Sequence, residues 1–148
     1  MSNDQSPARQ IALRLIEGQQ LNRTAADTTA HVTAAACDKL YKDLTQWVGP
    51  DGCHALFARA LAQARREHEA LEQIQLRPGV EPYMDAVAET IIAHGDDTTA
   101  DALSSMLVTL IELLGRLIGD DMATKLIERN IPDAVRQKPI GNGRKRDT

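Results

Sequence analysis

The chain has 148 residues with a formal charge of −4, 43% hydrophobic and 26% charged residues, which fits one soluble domain with a real core. Residues 136–148 hold five basic residues against Asp147, a net of +4, so residues 1–135 keep 12 basic against 20 acidic residues, a net of −8. An acidic body repels nucleic acid and anionic membrane, which argues against both as partners.

The first helix is expected after Ser6-Pro7, a cap followed by proline at the first helical position. Ala8, Ile11, Ala12 and Leu15 make its apolar stripe, and Gly18-Gln19-Gln20 weakens its end near Leu21. A second helix runs from about Thr28 to Val48, with Val32, Ala35, Ala36, Leu40, Leu44 and Trp47 on the inward face. Its alanines would let a neighbouring helix approach closely. Gly49-Pro50-Asp51-Gly52 breaks the chain.

A third helix is expected over about Cys53 to Leu71, with Leu56, Phe57, Ala60, Leu61 and Ala64 inward and Arg59, Arg65, Arg66, Glu67 and Glu69 wet. Leu76-Arg77-Pro78-Gly79-Val80 reads as a loop. Pro82 suits the first turn of a fourth helix carrying Met84, Val87, Ala88 and Ile91 and ending at Gly95. Thr98 with Asp101 resembles a capping box for the fifth helix, about 98–118. Asp120 or Asp121 caps a sixth, which carries Met122, Leu126 and Ile127 and ends near Pro132.

At 100° per residue, the apolar side chains of the fifth helix from Leu103 to Ile118 fill an arc of about 160°. Ser105, Thr109, Glu112 and Arg116 form the opposite stripe, with Val108 straying toward it. The block is too short and too charged for a membrane span. No segment alternates with period two, so no strand is expected. The two Gly-Asp-Asp sequences at 95–97 and 119–121 read as two similar helix junctions rather than a repeat, because their flanks differ. The expected fold is all-α, a bundle of five or six helices over 1–135 with a disordered basic tail at 136–148.

The chemistry-bearing residues are sparse. Cys37 and Cys53 are the two cysteines, MSNDQSPARQ holds no apolar targeting stretch, and free thiols in a cytosolic setting follow. The four histidines stand alone in their segments, and no Cys-x-x-Cys, His-Glu-x-x-His or Glu-x-x-His occurs, so the sequence asks for no metal or cofactor. Asp96, Asp97 and Asp101 lack the alternation of a calcium loop and fit the positive end of a helix dipole instead. Gly-x-Ser-x-Gly and phosphate-cradling loops are missing as well, and no catalytic residue is assigned.

Small helical bundles can carry a phosphotransfer histidine, which needs exposure mid-helix and a cation nearby to meet phosphate. His54, near Gly52 and Arg59, and His68, one turn after Arg65 but flanked by Glu67 and Glu69, are the candidate acceptors in that alternative reading. His31 has no cation in the next turn. Arg144, Lys145 and Arg146 are candidate polyanion contacts in a third reading, a nucleic-acid accessory protein acting through its tail. The leading expectation is a non-enzymatic cytosolic interaction or regulatory module, acting on a protein partner or through self-association as a homodimer.

The stretches WVGPDGCHALFARALAQARREHEAL and LIGDDMATKLIERNIPD together resemble small bacterial all-helical proteins of unassigned function. They share a Gly-x-x-Gly-x-x-Ala-Leu helix start and a late Ile-Gly-x-Asp junction, across Trp47 to Asp133. These motifs are helix caps and core residues. The resemblance therefore implies a helical fold and a bacterial origin, and no activity or site residue.

Overall fold

A computed structural model describes residues 7–20, 28–80 and 82–129. The elements in chain order are helix α1 (Pro7–Gln20), helix α2 (Thr29–Arg65), a 3-10 turn (Glu69–Gln73), strands β1 (Gln75–Leu76) and β2 (Met84–Asp85), and helices α3 (Val87–His94), α4 (Asp96–Ile118) and α5 (Asp120–Glu128). The architecture is the expected all-α bundle. The segments outside this range include Ser6, the Pro132 end of the sixth predicted helix and the basic tail.

The helices form where apolar residues recur at helical spacing. On α1, Ala8, Ile11, Ala12, Leu15 and Ile16 are buried, a complete i, i+3, i+4 stripe. On α4, Leu103, Met106, Leu107, Leu110 and Leu114 are fully buried. This helix packs most extensively against α2, whose Ala30, Ala34 and Ala36 are buried and give the close approach expected of small side chains. Val108 is partly buried against the same core, a single apolar cluster built from α1, α2, α4 and α5 with Val87 of α3 packed against it.

Three junctions use one device. Gly49, Gly95 and Gly119 have φ of +82°, +92° and +95° with extended ψ, a combination that side chains with a Cβ avoid. Each lets the chain leave one helix and enter the next within a single residue. Gly95 N–H donates to Ile91 O while Gly95 O accepts from Thr99 N–H, at 2.7 and 3.1 Å. Gly119 does the same between Gly115 and Ala123, at 2.7 and 2.9 Å.

That device corrects several expected boundaries. Gly49 kinks α2 without breaking it into a loop, and helical geometry resumes at Pro50 rather than Cys53. The N-caps of α4 and α5 are Gly95 and Gly119, so Thr98 and Asp101 form no capping box, and Asp120 and Asp121 lie inside the first turn of α5 rather than capping it. Those aspartates still sit where negative charge favours the helix dipole.

The second half of α2 stops at Arg65, not at Leu71. Arg65 leaves the wet face assigned to it and turns back on the chain. Its Nε donates to Leu71 O at 3.1 Å and its Nη2 to Ile74 O. Those carbonyls belong to the 3-10 turn and to the residue that ends it, both beyond the helix ladder, and the guanidinium satisfies them.

The segment after it holds a short antiparallel hairpin that the sequence did not announce, with Gln75 opposite Asp85 and Leu76 opposite Met84. Pro82 lies in its loop rather than in a helix, and Met84 is buried on β2. Helix α3 starts only at Val87, after Ala86 in the left-handed conformation. Its buried residue is Thr90, while Ala88 is exposed. Thr99 Oγ1 donates to Thr90 O at 3.3 Å and ties α3 to α4.

Candidate functional site

The aromatic residues are few, one Trp, two Tyr and one Phe, and three of them converge. Tyr41 comes from the first half of α2, Phe57 from the second half beyond the kink, and Tyr83 from the hairpin loop just before β2. The Gly49 kink is what brings Tyr41 and Phe57 side by side. The Tyr41 and Tyr83 rings stack with centroids 3.6 Å apart and planes 9° off parallel. Phe57 meets both edge-to-face, at 5.5 Å from Tyr41 and 5.4 Å from Tyr83. Such pairs add about 0.5–1.5 kcal/mol each beyond area burial.

Polar groups pin this cluster. His54 Nδ1 is 2.8 Å from the Tyr83 hydroxyl. Asp38 Oδ1 accepts from the Met84 backbone N–H at 3.2 Å and anchors β2. The Cys53 thiol and the Thr45 hydroxyl donate to Tyr41 O, at 3.5 and 2.6 Å. Beside the stack lies a half-open cleft of about 530 Å³, lined by Asp38, Tyr41, Lys42, Gly79, Val80, Pro82 and Tyr83. Asp38, Tyr41 and Lys42 stand at i, i+3 and i+4, hence on one face of α2.

Burial decides what these groups can do. It pushes the Tyr83 hydroxyl well above the usual tyrosine range, and electrostatic interactions with Tyr41, Cys53 and Asp38 push the same way. The phenol therefore stays neutral beside His54. Burial likewise raises the Cys53 thiol, partly offset by its side-chain interaction with Thr45. Cys37 is raised by burial and by the neighbouring Asp38 carboxylate. Both cysteines are free and buried, and a protonated buried thiol is a small apolar side chain rather than a nucleophile.

The candidate phosphoacceptors fall at opposite ends of the second half of α2. His54 sits in its second turn, half-buried and engaged with Tyr83. His68 lies beyond its last turn, half-buried in extended backbone at the head of the 3-10 turn. About three helical turns of α2 lie between them, so the structure does not bring them together. Arg144, Lys145 and Arg146 lie outside the described residues. Among the described residues no group of three or more His, Cys, Asp or Glu could hold a metal ion, and no helix is long and apolar enough to cross a membrane.

Other residues carry more of the surface character than the sequence reading assigned to them. Trp47, expected inward, is 56% exposed, with the Arg129 guanidinium 4.9 Å from its ring centroid. Leu117, on the apolar arc of the fifth predicted helix, and Met122, among the apolar residues of the sixth, are 66% and 57% exposed. Leu117 shares an arc with buried Leu103, Leu110 and Leu114, so the elements that cover that face stop short of it. Tyr41 and Tyr83 also went unassigned. Their scarcity in the chain was the available signal, since so few aromatics concentrate wherever they are buried together. Comparison with known family models, curated proteins and solved structures finds no match to this chain.

Proposed function

We propose that this protein is a non-enzymatic cytosolic helical module that works by binding another protein chain, a second copy of itself included. The observation that carries this reading is the allocation of side chains. The polar groups around the aromatic cleft are engaged in internal bonds that hold the hairpin, while Trp47, Leu117, Met122 and Ile92 stand exposed. Trp, Met and Arg are the residue types most concentrated at protein interfaces. The acidic body adds support by disfavouring nucleic acid and anionic membrane as partners.

The test is chemical cross-linking of the tagged full chain in its native host, with Trp47→Ser as the control. A cross-linked protein species in stoichiometric yield, lost in the variant, is the expected outcome. A chain recovered only as an uncross-linked monomer in both forms defeats the reading. Incubation with a small phosphodonor provides a second check. Acid-labile phosphate on His54 or His68 would replace it with phosphotransfer. Salt-sensitive binding of nucleic acid that disappears with Arg144, Lys145 and Arg146 would replace it with the tail-mediated reading.

A further inference from the structure

The α4–α5 corner carries an apolar surface, exposed among the described residues, with charges of both signs at its rim. Leu117 and Met122 are exposed on either side of Gly119. Ile118, Gly119, Asp120, Asp121, Met122 and Lys125 line a shallow cleft of about 430 Å³ between them. On α5 the inward residues are Ala123, Leu126 and Ile127. At 100° per residue, Asp121, Met122, Lys125 and Arg129 fall together on the outer side. The stripe ends at Arg129, which lies over exposed Trp47. It therefore has an apolar anchor at each end and opposite charges between them. Neither Asp121 nor Lys125 makes an ion pair with another described residue.

We infer that this stripe is the contact surface of a two-fold homodimer in which α5 packs antiparallel to α5 of a second copy. The inference rests on the proposed interaction reading and names its partner and surface. The occupant follows from charge complementarity. In a two-fold interface, residue i meets residue j and j meets i, so one surface must carry both members of each pair. This stripe does. Antiparallel pairing centred at the level of residue 123 sets Asp121 opposite the partner's Lys125, and Arg129 with the Trp47 ring beneath it opposite the partner's Leu117. The local balance of charge also lets two chains of net −4 approach, where a uniformly acidic face would repel its copy.

The size of the surface sets the strength. A nine-residue helix is only about 13 Å long, and stable interfaces bury about 800 Å² per partner. Leu117 and Trp47 lengthen the contact at both ends, yet it stays at the small end of that range. The dimer is therefore reversible, with a dissociation constant on the order of 10–100 μM.

Sedimentation equilibrium of the full chain tests this over roughly 5 μM to 1 mM, a range that brackets such a constant. The expected result is a rise from 16.2 kDa toward twice that mass. Met122→Lys and Lys125→Asp should each weaken the dimer at least about tenfold, and adding Asp121→Lys to Lys125→Asp should recover most of the loss. Circular dichroism confirms that each variant folds. Hydrogen exchange on the unaltered chain gives a reading that needs no variant, with slower exchange over 117–129 at high concentration. A dimer indifferent to these substitutions and to concentration at 117–129 overturns the surface while leaving self-association standing. A monomer throughout the range overturns this dimer, and the broader interaction reading then rests on cross-linking to a different protein.

Discussion

Asp96 shows how one side chain can serve two helices. It lies in the first turn of α4, yet its Oδ1 accepts the Ala30 N–H of α2 at 2.8 Å. It thereby shares with Thr28, whose Oγ1 accepts from His31 N–H at 3.2 Å, the open donors of the α2 N-terminus. The Ala30 bond, with others from Thr28 and Thr29 and the charge of His31, holds the Asp96 carboxyl below the usual carboxylate range against a smaller opposing effect of burial. A folded-state pKa below the unfolded one means that the unfolded chain takes up protons first. This stabilisation is therefore present above the unfolded carboxylate pKa of about 4 and is lost as pH falls through the folded value. Asp96→Ala should cost about 1 kcal/mol at neutral pH, and Asp96→Asn less because its carbonyl can still cap. Urea unfolding at pH 7 and at pH 3 checks both, and the Ala penalty should shrink at the lower pH. The thiols offer a second prediction at this scale. Cys37 and Cys53 are buried and held protonated, so a disulfide reagent such as DTNB should react with neither in the native chain and with both in urea. Rapid native labelling would contradict the described burial.

At the scale of elements, the backbone at helix junctions is where single substitutions should speak most clearly. A Cβ added at Gly49 meets nothing within 4 Å, and the same holds at Gly95 and Gly119. The cost of alanine there is purely conformational, about 1–3 kcal/mol for a residue held at this positive φ. Thermal or urea unfolding of Gly49→Ala measures it, and a neutral result would mean that the kink is adopted differently. Ala86 presents the converse. It is the single non-glycine residue at positive φ among those described, at +72°, and it precedes α3. Its carbonyl accepts both the N–H and the Oγ1 of Thr90, at 3.0 and 2.7 Å, which holds the conformation in place. Ala86→Gly should therefore stabilise the fold by about 0.5–1 kcal/mol, the left-handed penalty relieved less the greater freedom of glycine in the unfolded chain. A loss of stability would show that Ala86 is not strained.

At the scale of the molecule, the aromatic cluster is the point at which the kinked helix, the hairpin and the core depend on one another. Phe57 is fully buried and touches both tyrosines. Phe57→Ala should cost about 3–5 kcal/mol, and the hairpin and both halves of α2 should loosen together. Hydrogen exchange over 38–48, 53–64 and 75–85 would show that coupling, whereas loosening confined to one segment would show independent elements. The helices themselves were legible because their apolar spacing is strong, above all in α4. The hairpin was not. Two residues per strand cannot display a period, and its stability comes from Asp38, Tyr41 and His54, which are distant in the chain. The exposure of Trp47, Leu117 and Met122 was equally hidden, since periodicity assigns a residue to a face and does not say whether a neighbour covers that face.

The sequence by itself determined an all-α bundle, the stretches in which its helices lie though not all of their ends, the glycine junctions at 95 and 119, and the aliphatic core. These follow from local rules of spacing and backbone sterics that act within a turn or two of chain. Tertiary structure decided where Tyr41, Phe57 and Tyr83 meet, that Asp96 completes the start of α2, that Arg65 folds back on the 3-10 turn, and which apolar residues remain outside. Each of these depends on which distant element lies alongside, and only the packing of the whole chain supplies that.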